Sequence, residues 1–401
     1  MALGALAGAQ DAAFESAMKL YQAGSVESAR QSLLVAIAHQ PSALDYSLLG
    51  SIDFEQGRLR DAEVYLRRAL QLTPGLPGTR LTLATLLVAK GDSTGARNAF
   101  ETVLAADRSN IGALNGLSRL DLAEGHLPAA LARLERAHRS APDDLDTNLA
   151  LSRARNLTGN SEGALALLLQ AKAATPDNPV VLYGLGVLCL QMDLIKDANT
   201  NLAQAVQLQP NDARALYALG SARIANHDLP AAIQIYEELL AADPLNAQVN
   251  YALGATYFLS GNGARSETYL QNSVKLAPDQ VESYYYLAAL AAQAGDNAKS
   301  IELLHTVVNR RPDHARAHLA LGLAYRSTGN LAAARHELER TIQLDPKSQK
   351  AHYQLGLLLT VLKEPAAAKA EFDAAGRLRA ATDDKVSWEL APEHDLAQSG
   401  R

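Results

Sequence analysis

Nine prolines fall on a common period. Pro41 and Pro74 open the series, and Pro142, Pro176, Pro210, Pro244, Pro278, Pro312 and Pro346 continue it at a constant spacing of 34 residues; Arg108 stands at the one beat that lacks a proline. A period of this length sustained over most of a chain specifies an array of helical repeats, in which each unit buries its apolar face only against its neighbours. Other columns keep the same beat. Leucine recurs at Leu49, Leu83, Leu117, Leu151, Leu185, Leu219, Leu253, Leu287, Leu321 and Leu355. A small residue recurs from Ala29 and Ala62 through Ala198, Ala232 and Ser266 to Ala334 and Ala368, and a bulky one follows four residues later, as at Leu66, Phe100 and Tyr236. Two helices that cross closely tolerate only a small side chain at the crossing, and a bulky neighbour one turn on fills the adjacent space. Proline stops the second helix because it has no N–H to give to the ladder.

These columns resemble the tetratricopeptide repeat family, whose pattern couples Leu-Gly-x-x-Tyr to Ala-x-x-x-Phe and a closing proline. The motif reads here as Leu253-Gly254-x-x-Tyr257 and Leu321-Gly322-x-x-Tyr325, with Ala96-x-x-x-Phe100 and Ala368-x-x-x-Phe372. The resemblance implies an all-α fold, a right-handed superhelical solenoid of antiparallel helix pairs, over residues 10–380 in about eleven repeats. Residues 1–9 are read as a lead-in or the remnant of a signal peptide, and residues 381–401 as a polar tail, partly disordered, whose Trp388, Val386 and Leu390 are expected to fold back on the last helix pair. Met1–Gln10 lacks a basic start but ends in Ala7-Gly8-Ala9, like a signal-peptidase site. As written the chain reads as cytoplasmic; with a signal start upstream of Met1 it would be periplasmic or exported.

Turn signals support the register. Gly57, Gly91, Gly125, Gly159, Gly261, Gly295 and Gly329 are placed to end first helices, and Pro128, Pro230 and Pro365 fall just inside second helices, where a missing N–H costs nothing. The segment Pro74-Gly75-Leu76-Pro77-Gly78 predicts a late start for the third repeat's first helix. Lys363, Lys369, Arg377 and Arg379 suit a solvated terminal pair.

Little in the chain speaks for chemistry. It has 401 residues, a net charge of −6 and a single cysteine. Mild acidity gives no electrostatic case for nucleic acid, and no apolar run is long enough to span a membrane. Cys189 has no intrachain partner and reads as a packed small hydrophobe. There is no phosphate-binding glycine loop, zinc pair or nucleophile motif, so no catalytic residue, cofactor or metal is expected. His314 and His318 could share a helix face, but the column of His318 also holds Leu182, Leu216 and His352, which reads as packing.

In the resembled family the first helices line the inner groove. Two residues before the column leucine lie Tyr183, Tyr217, Tyr251, Tyr285 and Tyr353, with Leu319 interrupting; Phe258 lies five after its leucine. These six aromatic residues are the expected partner-binding set, taken as an exposed row flanked by small residues such as Ser221, Ala255 and Ala289. Tyrosine offers a large contact area at low entropic cost. The N-terminal half instead carries Asn115, Arg119, Arg153 and Asn156. No three adjacent repeats supply the Lys/Asn/Arg carboxylate clamp of chaperone-tail binders. The column before the leucine holds no asparagine ladder of the O-GlcNAc transferase type. The expected function is a non-enzymatic scaffold that holds a protein or peptide segment in its concave groove within a larger assembly. The alternative is the substrate-recruiting arm of an enzyme, such as a glycosyltransferase, whose catalytic part is on another chain.

Overall fold

The computed structural model describes residues 14–381. The lead-in or signal remnant expected at residues 1–9 and the tail segment around Trp388 lie outside the described residues. Every described element is a helix, and the helices group into two compact units, Met1–Pro176 and Asp177–Arg401. In the first unit they are α1 (residues 14–22), α2 (Val26–His39), α3 (Ala43–Glu55), α4 (Leu59–Leu72), α5 (Pro77–Ala89), α6 (Ser93–Ala106), α7 (Ile111–Ala123), α8 (Leu127–Ser140), α9 (Leu145–Leu157) and α10 (Ser161–Ala174). In the second they are α11 (Pro179–Gln191), α12 (Ile195–Leu208), α13 (Ala213–Ala225), α14 (Leu229–Ala242), α15 (Ala247–Leu259), α16 (Gly263–Leu276), α17 (Val281–Gln293), α18 (Asn297–Arg310), α19 (Ala315–Ser327), α20 (Leu331–Leu344), α21 (Gln349–Val361) and α22 (Pro365–Ala381).

Local chemistry sets these boundaries. Asn110, Asp144 and Asn246 cap first helices by accepting the N–H three residues on, and Asp92, Asn160 and Asn330 do the same for second helices. Each cap satisfies a backbone donor that the helix cannot. Between the two helices of a repeat the chain passes through a left-handed residue. It is glycine at Gly57, Gly91, Gly125, Gly159, Gly261, Gly295 and Gly329, as expected, but Asp193, His227 and Lys363 hold the same position with φ of 60°, 62° and 62°. The late start expected for α5 does not occur. The helix begins at Pro77, on the beat, with the proline in the first turn as Pro179 is in α11. The second proline therefore initiates the helix instead of delaying it.

Packing follows the columns. The ten column leucines are all buried, as are the small residues from Ala29 to Ala368. Their crossing point is direct in the α15–α16 pair, where Ser266 Oγ donates to the Gly254 carbonyl at 2.8 Å. Glycine is needed there: a Cβ at Gly220 would lie 2.6 Å from Tyr236 Cζ, and one at Gly186 would lie 2.3 Å from Leu202 Cγ. Each first helix packs on its own second helix, and each second helix on the next first helix of its unit. Within each unit first helices also reach the first helix of an adjacent repeat, as α3 does α5 and α17 does α19, while second helices have no comparable contact with one another. The first helices therefore form the inner layer of each unit. On α21, α22 and their connecting turn, Lys363, Lys369, Arg377 and Arg379 are exposed.

Candidate functional site

The six expected aromatic residues all lie on first helices of the second unit, but they do not form a uniformly exposed row. Tyr251 is only 3% exposed, Tyr183, Tyr217, Tyr285 and Phe258 are half-buried, and Tyr353 is 47% exposed. The burial of Tyr251 has a local cause. The column just before the leucine is small at Gly184, Ala218, Ala252 and Ala320, but holds Tyr286 in α17. The Tyr286 ring sits 6.1 Å from the ring of Tyr251 and 5.3 Å from that of Phe258. Tyr251 is thus a support beneath Tyr286 and is not itself a contact surface. Burial holds its hydroxyl well above the ordinary tyrosine range and pushes that of Tyr286 up to about 12.

Three of the remaining rings, Tyr183, Tyr217 and Tyr285, share one kind of contact. Arg214, at the start of α13, lies over the Tyr183 ring 5.7 Å from its centroid, and Arg316, at the start of α19, lies over Tyr285 at 5.1 Å. Gln248 Nε2 donates to the Tyr217 hydroxyl at 2.9 Å, and Gln280 in turn donates to Gln248 Oε1 at 3.1 Å. In each case the partner is 31 residues on, in the first turn of the next repeat. The tyrosine column is therefore a seam between repeats. The first unit makes the same seam with polar groups: Ser47 meets Thr79 at 2.7 Å and Asn115 Nδ2 donates to Thr147 Oγ1 at 2.9 Å. Arg119 and Arg153 are exposed there, while Asn156 is half-buried.

Glu282 gathers charge at the start of α17. Arg311 approaches it to 2.8 Å, His314 to 3.3 Å and Arg316 to 3.5 Å. Burial alone would raise its carboxyl, but the His314 hydrogen bond and the neighbouring positive charges hold it below the usual range. His314 and His318 are not directed at a common ligand. His314 Nδ1 accepts the Ala317 N–H at 3.0 Å as a helix cap, and its Nε2 faces Glu282. His318 bridges Glu337 at 2.6 Å and the Pro312 carbonyl at 3.1 Å, and His352 repeats this with Glu371 and Pro346. In the first unit Asp121, Glu124 and His126 bring three potential metal ligands together. Arg97 already joins the two carboxylates at 2.9 and 2.7 Å, and Arg133 pairs with Asp121, so the cluster is an ion-pair network. Cys189 is buried, consistent with packing. No helix among the described residues is long and apolar enough to cross a membrane.

Comparisons with known proteins agree with this architecture. One tetratricopeptide repeat profile matches residues 53–120, 121–188 and 223–291, and a second matches residues 183–247, 287–348 and 319–384. The chain is 33% identical over 102 residues to the protein CTR9 homolog of Arabidopsis thaliana, and 31% identical over 128 residues to the putative cellulose synthase operon protein C of Escherichia coli O157:H7. Those stretches cover 25% and 30% of this chain but only 9% and 11% of the two relatives. Among solved structures, the APC/C hetero-tetramer Cut9–Hcn1 superposes with a TM-score of 0.54 at 14% identity, over 94% of each chain, a likeness of fold. The repeat profiles together run through the described helices from α3 to the last pair, and the chain belongs to the tetratricopeptide repeat family.

Proposed function

We propose that the chain is a non-enzymatic scaffold whose second unit holds a protein segment against the first-helix face. The observation that carries this reading is the set of half-exposed rings at Tyr183, Tyr217, Tyr285 and Phe258, with the more exposed Tyr353 beyond them. Three of these rings adjoin Arg or Gln side chains able to hydrogen-bond a backbone. Aromatic anchors in such a groove carry about 2 kcal/mol or more each on truncation, and rim charges little. Tyr251 supports the face from beneath.

The test compares capture of partners by wild type and by the triple variant Tyr183→Ala, Tyr285→Ala, Tyr353→Ala, which spares the buried ring. The variant should lose the partner with its helical content intact, while Glu238→Lys on the outer helix α14 should not. Glu237 is unsuitable as a control because it accepts the Tyr257 hydroxyl at 2.6 Å. Equal capture by wild type and triple variant would rule out the face. A second reading, a recruiting arm for an enzyme such as a glycosyltransferase on another chain, is favoured by the similarity to the putative cellulose synthase operon protein. It predicts that a catalytic subunit co-purifies with the chain.

A further inference from the structure

The loop between α6 and α7 lacks the proline of its equivalents and brings two arginines together in space. Four equivalent loops read Pro142-Asp143, Pro176-Asp177, Pro278-Asp279 and Pro312-Asp313, and five follow the proline with Ser42, Gly75, Asn211, Leu245 or Lys347; here the loop reads Arg108-Ser109. The second helix that follows carries a residue aimed back at this loop. Gln170 Nε2 donates to Asp143 at 3.5 Å and Gln204 Nε2 to Asp177 at 3.1 Å, each 27 residues back. The equivalent residue is Arg136, as it is Arg68 and Arg340 in two other repeats, and its guanidinium donates to the Arg108 carbonyl. Where the neighbouring repeat places Pro, Asp and Gln, with one negative charge, this one places Arg, Ser and Arg, with two positive charges. Arg108 forms no ion pair among the described residues, and both arginines are exposed. They line an open cleft of about 690 Å³ with Leu104, Ser109, Ser140 and one acidic residue, Glu101. The nearby Asp107 carboxylate already accepts the Ser109 N–H at 2.9 Å and hydroxyl at 2.8 Å.

We infer that this cleft binds a phosphate dianion, free or as a monoester, through Arg108 and Arg136. Guanidinium groups present fixed forks of donors that match phosphate oxygens, and two of them balance a dianion. The Ser109 hydroxyl donates to Asp107 at 2.8 Å and that of Ser140 to the Arg136 carbonyl at 3.2 Å, so either reaches a phosphate oxygen only by rotating away from that partner. The cleft lies on second helices and their loop, so the inference does not depend on the groove reading. The phosphoryl group could be free in solution or carried on a partner's side chain, and the probes separate these sources.

The experiment uses the full chain and follows the phosphorus resonances of inorganic phosphate and of the tripeptide Gly-phosphoserine-Gly. An exposed two-arginine site predicts a dissociation constant on the order of 1 mM at low salt. The variant Arg108→Pro, Ser109→Asp, Arg136→Gln restores residues that other repeats of this chain already carry, so it should fold; its circular dichroism and melting confirm that. Binding should weaken at least tenfold in it. Arg108→Ala alone should weaken binding without altering the loop's acidity. Equal binding of both probes to wild type identifies the free phosphate, and preference for the peptide identifies a modified partner side chain. Undiminished binding by the restored variant, or no response of wild type to either probe at roughly ten times that concentration, overturns the inference.

Discussion

Replacing Asp193 by glycine should stabilise the protein. Asp193 holds the left-handed turn between α11 and α12 at φ 60°, the position that glycine occupies in most repeats. At the equivalent Gly159 and Gly261 nothing lies within 4 Å of where a Cβ would be, so the cost of a side chain there comes from the backbone and not from packing. A left-handed conformation costs an L-residue about 1–2 kcal/mol, less for Asp, which tolerates it better than most. Glycine removes that strain but gives the unfolded chain more freedom, which offsets about 0.5–1 kcal/mol. The net gain for Asp193→Gly is then a few tenths to about 0.5 kcal/mol. The contrasting variant Asp193→Val places a β-branched residue in the same conformation and should cost about 1–2 kcal/mol. Urea denaturation of the full chain, with hydrogen exchange read locally at α11 and α12, measures both, because a repeat array need not unfold as one cooperative unit. The reasoning fails if Asp193→Gly destabilises, or if Asp193→Val melts like wild type.

Other outcomes follow from the packing. Ala232→Leu should overpack the α13–α14 crossing and lower stability by about 1–3 kcal/mol in a chemical melt; an unchanged melt would mean that this column is not a crossing column. Gly220→Ala should do likewise by driving a methyl into the Tyr236 ring, and Tyr236→Leu in the same chain should restore part of the loss. Tyr286 has its hydroxyl pushed up to about 12 by burial, so the folded state resists its ionisation. That contribution is complete below pH 10, the ordinary tyrosine value, and is lost as pH rises from there through about 12. Tyr286→Phe should flatten the fall in stability over that window, as read by tyrosinate absorbance against circular dichroism. Asp53→Ala should cost roughly 1–3 kcal/mol, because it removes the buried carboxylate that Arg30 and Arg58 share at 2.6 and 2.9 Å, while both arginines are partly exposed and keep Glu27 as a partner; thermal melting checks it.

The helix starts were legible because the period fixes them. Ten first helices begin 34 residues apart, from Ala43 to Gln349, and the columns that define them are buried as the spacing implies. Read locally, Pro77 looks like an interruption of α5; counting three periods of 34 residues to Pro179 assigns both prolines to the first turn. The same counting reveals Asp193, His227 and Lys363 as turn residues, where a search for glycine alone passes over them. Exposure at the candidate face was less legible. Whether a ring in the tyrosine column is covered depends on the first turn of the next repeat and on single intrusions such as Tyr286, the one aromatic residue in a column that is mostly small. The seam between Ser47 and Thr79, or between Tyr217 and Gln248, involves residues too far apart and too varied in type to stand out as a motif.

The tyrosine seam has a mechanical consequence. The side chains that would touch a ligand are the ones that set the stiffness between one repeat and the next. A ligand that draws Arg316 off Tyr285, or Gln248 off Tyr217, would soften that joint, and one that bridges the pair would stiffen it. Occupancy and elasticity would then be coupled along the second unit, so that a change in bending rigidity could report binding even where no helix unfolds.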